Sequence, residues 1–204
     1  MNSHLRLLIS TVEISELNNT EDYDNDANLE TQGLDSRTEI NSQANMPVVV
    51  QNCYIIYDSG TFEEVNAFLP DYETNNIPIV DAEVQYYPPH SMMTYILVTR
   101  NALHVTSMKN NTTPPFMMRE AGIMVYDTPK IQVENPTADD YYIYFQETGL
   151  RIPIQLWGVF SYFPTSKPKS EDMTDSEEVY LLTTSRWNPH ENSYSSNEKI
   201  MLDW

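Results

Sequence analysis

The stretch QNCYIIYDSGTFEEVNAF, from Gln51 to Phe68, places Asp58-Ser59-Gly60-Thr61 directly after the apolar run Tyr54–Tyr57. Two readings compete. In the first, Tyr54–Tyr57 and Thr61–Phe68 are strands and Asp58-Ser59-Gly60 is the turn between them. Gly60 then takes a positive φ, and the Asp58 side chain bonds the turn backbone. In the second, Asp58 is the carboxylate of an aspartic protease, whose Asp-Ser/Thr-Gly motif ends a buried strand. That chemistry needs two facing carboxylates that share one proton, one of them acting as base on a water. A chain with a single motif then works only as a homodimer. It also needs an apolar-apolar-Gly strand behind the loop, for which LWGVF at Leu156–Phe160 is a weak match. Local pattern favours the turn, which accounts for every residue without catalysis.

Outward from this stretch, Met46–Pro164 keeps one texture. Val, Ile, Tyr, Phe and Thr dominate, and the residues that favour helix are sparse. Strand-length runs recur between turn residues: PVVVQ, YIIY, TFEEVNAF, PIVDAEVQYY, TYILVTR, ALHVTS, IMVYD, DYYIYF, LRIPIQL and GVFSYF. Their spacing predicts a mostly β domain closed into a barrel or sandwich, and about 120 residues suffice for a real core. PPFMMREAGI breaks the pattern. Pro114 and Pro115 suit a helix start, Phe116, Met117 and Ala121 supply an apolar side, and Gly122 suits a stop. A short helix is predicted there, feeding a strand at Ile123–Tyr126.

The flanks differ. Residues 1–40 are mostly polar and acidic, with too little apolar surface to offset chain entropy, and are expected to be disordered. Residues 41–164 form the β domain. Residues 165–204 read as linker-like, although VYLLTT has the makings of an edge strand. The chain has 204 residues, 30 acidic and 11 basic, for a formal charge of −19. Such a charge repels phosphates and anionic lipid, so no direct nucleic-acid or membrane partner is expected. Leu5–Val12 is too short and too polar for a signal or membrane helix, and a cytoplasmic protein is expected.

Cofactor and metal chemistry finds little purchase. Cys53 is the sole cysteine, which excludes an intramolecular disulfide and a thiolate cluster. His4, His90, His104 and His190 are scattered without an i,i+4 pair, so no zinc site is expected. Asp139-Asp140 reads as a solvated turn. The five glycines occur singly and form no phosphate loop. In DYYIYF, Tyr141, Ile143 and Phe145 share one strand face and Tyr142 and Tyr144 the other. With the first face in the core, Tyr142 and Tyr144, next to Trp157, are candidates for a peptide or partner surface.

From Ile40 onward the sequence resembles the region between gag and integrase in copia-type LTR retrotransposon polyproteins. The phrases that carry the resemblance are SQANMPVV, NCYIIYDSG, FLPDY, IPIVDAEVQY, YILVTRNALHVTSMKNN, PPFMMREAGI, DTPKIQVENPT, IYFQETGLRIPIQLWGVFSYFPT, RWNPHENSY and NEKIMLDW. The resemblance implies a retropepsin-like closed barrel with one short helix. The family's motif resembles Asp-Ser-His-Ala-Asp/Asn followed by a small apolar strand. Asn41-Ser42-Gln43-Ala44-Asn45 followed by Met46–Val50 matches it, so Asn41 stands at the degenerate aspartate position and Val50 at the family's glycine. An amide cannot act as the base that a carboxylate provides. The implied function is a polyprotein segment with a catalytically silent protease domain, whose partners are polyprotein or peptide segments and a second copy. The alternatives are an active homodimeric protease using Asp58 and an unrelated β-rich binding or assembly module.

Overall fold

The computed structural model describes residues 36–65, 75–89, 93–128, 132, 134, 135, 137, 140–168 and 178–184. A long meander anchors the fold: β3 (Tyr54–Val65), β4 (Asn75–Tyr86) and β5 (Tyr95–His104), each antiparallel to the next. Shorter strands extend it: β1 (Arg37–Ile40), β2 (Val48–Val49), β6 (Asn111–Thr113), β10 (Gln155–Trp157), β11 (Phe160–Pro164) and β12 (Glu178–Leu181). Together they make a nine-stranded sheet in the order β10-β11-β1-β6-β2-β5-β4-β3, with β12 paired to β5 off this path. A second, three-stranded sheet holds β7 (Met124–Tyr126), β8 (Tyr142–Tyr144) and β9 (Arg151–Pro153).

The two sheets share a core. Ile143 and Ile152 of the small sheet belong to one buried cluster with Val84, Leu97, Phe163 and Leu182 from the large sheet and its end. A second cluster gathers Met46, Val48, Ile79 and Leu103. The helix α1 (Pro115–Glu120) joins both. Pro114 is its N-cap and Gly122, at φ +81°, lies just past its end. Met117 enters the second cluster and Met118 the first. The predicted helix and the strand after it are therefore present, but the apolar side differs. Met118 is buried and Phe116 points outward, because a six-residue helix wedged between two clusters buries adjacent rather than periodic positions.

Three further expectations change. The mostly β character holds, but the large sheet does not close into a barrel. Closure requires the end strands to bond to each other with matched length and stagger. Here one end is the three-residue β10 and the other is the twelve-residue, twice-bulged β3. The segment 1–40 ends in a strand, because β1 is held between β11 and β6; residues 1–35 lie outside the described residues. Finally, the 165–204 segment supplies β12, which runs parallel to β5 with Tyr180 and Leu182 in the main core. Thr165 and Pro168 are buried as well, and Ser166 exchanges backbone hydrogen bonds with Gln85.

β5 carries a bulge where the sheet changes neighbours. Val80 pairs with Ala102 and Ala82 with Thr99, so Arg100 and Asn101 together oppose Asp81. Asn101 sits at φ +52°, a region asparagine tolerates better than most residues, and its N–H donates to Asp81 Oδ1 (2.9 Å). On one side β5 meets β12 along Tyr95–Val98 and β2 along Leu103–His104. The gap between them is bridged by Thr183. Its buried hydroxyl accepts the Arg100 N–H (2.8 Å) and donates to the Arg100 carbonyl (3.1 Å).

Candidate functional site

Asn41 follows β1 directly. Its N–H donates to the Thr113 carbonyl (3.3 Å), and its own carbonyl accepts from Ala44 N–H (3.3 Å). Its side-chain Oδ1 accepts the Gln43 N–H (2.9 Å), which closes a short Asx turn. The loop is thus organised by the amide it contains. β1 and β6 are parallel, with Ile40 opposite Thr113, and β6 leads through Pro114 into α1. The Asn41–Asn45 loop and the helix start therefore leave adjacent strands at the same end of the sheet. After the loop, Val48–Val49 form β2, and Val50 N–H donates to Asn111 Oδ1 (2.9 Å).

Asp58 is placed differently from either opening reading. Tyr54–Tyr57 and Thr61–Val65 do not fold back on each other; they are one continuous strand. Asp58 pairs with Val80 and Phe62 with Pro78, so Ser59, Gly60 and Thr61 bulge opposite Ile79 alone. The reason is β4, which is long enough to pair with both apolar runs in a line. The residues still use turn chemistry. Gly60 has φ +69°, and its N–H donates to Asp58 Oδ1 (2.9 Å). Ser59 Oγ donates to the Ile79 carbonyl (2.7 Å) and accepts the Thr61 N–H (3.1 Å). Asp58 itself is exposed. On the sheet path, four strands separate β1, which leads into Asn41, from β3, which holds Asp58. The loop that holds Asn41 and the strand that holds Asp58 are therefore well separated along the sheet.

Other expected features fall as follows. Tyr141, Ile143 and Phe145 are buried, as the alternation predicts. Tyr142 is half-buried rather than open. It stacks on Tyr126 (4.5 Å between centroids) and lies 3.7 Å under the Arg151 guanidinium, so both ring faces are occupied. Tyr144 meets it edge-on. Trp157 belongs to the other sheet, where the Arg37 guanidinium covers its ring at 4.7 Å and that of Tyr162 at 4.9 Å. Arg37 is in turn paired with Glu39 (2.7 Å). Asp140 Oδ2 accepts from Thr137 N–H (2.8 Å) and Oγ1 (2.7 Å), which is a local turn cap. Asp139, His4, His90 and His190 lie outside the described residues. Among the described residues no group of three or more His, Cys, Asp or Glu converges as for a metal. No helix among them is long and apolar enough to cross a membrane.

The junction at Arg100, Asp81 and Thr183 is the feature that sequence reasoning missed. Arg100 Nη1 lies 4.0 Å from Asp81 Oδ2, and its buried Nε has no hydrogen-bond partner. Nothing in TYILVTR signals a bulge; the sole local hint is an asparagine within an apolar strand.

Fold and loops together define a mostly β domain with two sheets and one short helix among the described residues. No protein-family model, curated protein or solved structure matches the chain.

Proposed function

We propose that the chain is a segment of a copia-type retrotransposon polyprotein carrying a retropepsin-like domain that has lost protease activity. The ordered run of matching phrases from Ile40 onward supports this reading, as does a mostly β domain with one short helix beside the Asn41–Asn45 loop. The observation that carries the inactivity is Asn41. At the position the resemblance assigns to the aspartate stands an amide whose oxygen is engaged by the Gln43 N–H. An amide offers no proton-accepting charge at ordinary pH, so neither copy in a dimer supplies a base there. Asp58, the alternative acid, spends one carboxylate oxygen on its own bulge. On this reading the domain contributes to folding and assembly of the polyprotein in the cytoplasm, and needs no cofactor.

The origin is tested by sequencing the transcript beyond Trp204. An integrase-like reading frame in phase with this one is expected. An unrelated frame continuing from Trp204 overturns the retroelement reading and favours a free-standing β-rich assembly module.

A further inference from the structure

Basic residues are absent from a long part of the chain. Between Arg37 and Arg100 there is no lysine or arginine, while Asp58, Glu63, Glu64, Asp81 and Glu83 all fall on β3 and β4. β3 lies at one end of the large sheet. Facing residues of an antiparallel pair lie on the same side of a sheet, and positions two apart on one strand share a side. Asp58 pairs with Val80, Phe62 with Pro78 and Glu64 with Asn76. The bulge between Asp58 and Phe62 therefore keeps Asp58, Phe62 and Glu64 on one side, in a row spaced about 7 Å apart by the rise of β4. All three are exposed, Phe62 to 60%.

Neither Asp58 nor Glu64 is ion-paired among the described residues. Bulges and charges blunt an end strand against further pairing, which accounts for the two carboxylates. It does not account for a bare phenyl ring between them. Elsewhere the chain covers rings with its own cations: Arg37 lies over Trp157 and Tyr162, and Arg151 over Tyr142. No arginine or lysine lies over Phe62 among the described residues.

We propose that the row Asp58, Phe62, Glu64 is a docking surface for a basic segment of another polypeptide, bound in extended form with lysine or arginine at alternate positions. Alternate side chains of an extended chain also recur about every 7 Å. Three successive cations then meet a carboxylate, a ring face and a second carboxylate, and each of these attracts positive charge. Charge selects the partner. A formal charge of −19 draws basic chains from a distance and turns away nucleic acid and acidic proteins. The contact is made by side chains on the face of the sheet and needs no open backbone edge. Exposed ion pairs and an exposed cation–π contact are individually weak, so binding is weak and falls as salt rises. This proposal does not rest on the retroelement reading.

Fluorescence anisotropy with the full chain at low salt tests it, using a labelled peptide of alternating lysine and serine. A second peptide of the same composition carries its lysines in one block. The alternating peptide should bind saturably and more tightly than the block peptide. Phe62→Leu, which changes no charge, should weaken it about 2–5-fold, the range for an exposed cation–π contact, with an unchanged far-ultraviolet spectrum. Asp58→Asn and Glu64→Gln should each weaken it more than Glu147→Gln, which removes an exposed acid from the turn between β8 and β9. Absence of saturable binding overturns the proposal. So does binding that ignores Phe62→Leu, that favours the block peptide, or that Glu147→Gln weakens as much as Asp58→Asn. Each of these results leaves only a diffuse attraction to an acidic chain.

Discussion

Leu182→Ala should lower the unfolding free energy by about 2–5 kcal/mol, the range for truncating a fully buried leucine. Leu182 is 0% exposed, sits in the main core and donates its N–H to the Val98 carbonyl (2.8 Å). A domain of this size holds roughly 5–15 kcal/mol in total, so the loss is a large share of it. Urea unfolding should show a lower midpoint with an unchanged slope. Val179→Ala, three residues earlier and 61% exposed, should stay within about 0.5 kcal/mol of wild type. If Leu182→Ala were equally silent, the chain just past β12 would not belong to the core.

Alkaline pH should destabilise the fold on a comparable scale. Burial pushes the Cys53 thiol from 9.0 up to about 11, and the Tyr86 phenol from 10.0 up to about 12. Both groups are neutral when protonated, and the core favours the neutral form. Between the unfolded and folded values the unfolded chain has lost protons that the native chain still holds, so stability falls as pH rises. The full contribution is present below about pH 9 and is lost progressively up to about pH 12. Each unit of separation is worth about 1.4 kcal/mol before solvent screening, so the two groups together contribute roughly a few kcal/mol. Tyr86 is buried with a hydroxyl that has no hydrogen-bond partner. Tyr86→Phe should therefore be at least as stable as wild type at neutral pH and unfold at higher pH. Circular dichroism across an alkaline titration checks both; a variant weaker at neutral pH with the same alkaline midpoint would refute the assignment.

What was legible in the sequence had a local cause. Two prolines and a glycine bracket α1 because proline suits a helix's first turn and glycine suits the positive φ after it. The alternation at Tyr141–Phe145 placed three side chains inward because a strand against a core has period two. The Asp58 stretch was ambiguous for an equally physical reason. A turn and a bulge both use a glycine at positive φ and a carboxylate bonded two residues ahead, and only the length of β4 decides between them. β12 was unreadable for lack of local context. VYLLTT is an ordinary strand-length run, and its partner β5 lies about eighty residues earlier, beyond any local pattern. The Tyr142 surface closed for the same reason, since Tyr126 and Arg151 arrive on neighbouring strands. Barrel closure likewise depends on how two distant end strands meet. The Asn41 turn was not read from the sequence, where Asn41 stood out through the resemblance alone. Its significance rests on the chemistry of an amide, which the loop geometry now accompanies with a specific bond.

Peptide cleavage at acidic pH, with and without pepstatin, for wild type and Asp58→Asn decides whether the proposed retropepsin-like domain lacks a working acid pair. Both proteins should leave a mixed peptide library uncut at every protein concentration. Pepstatin-sensitive cleavage by wild type that disappears in Asp58→Asn would show an active protease and make Asp58 a catalytic residue.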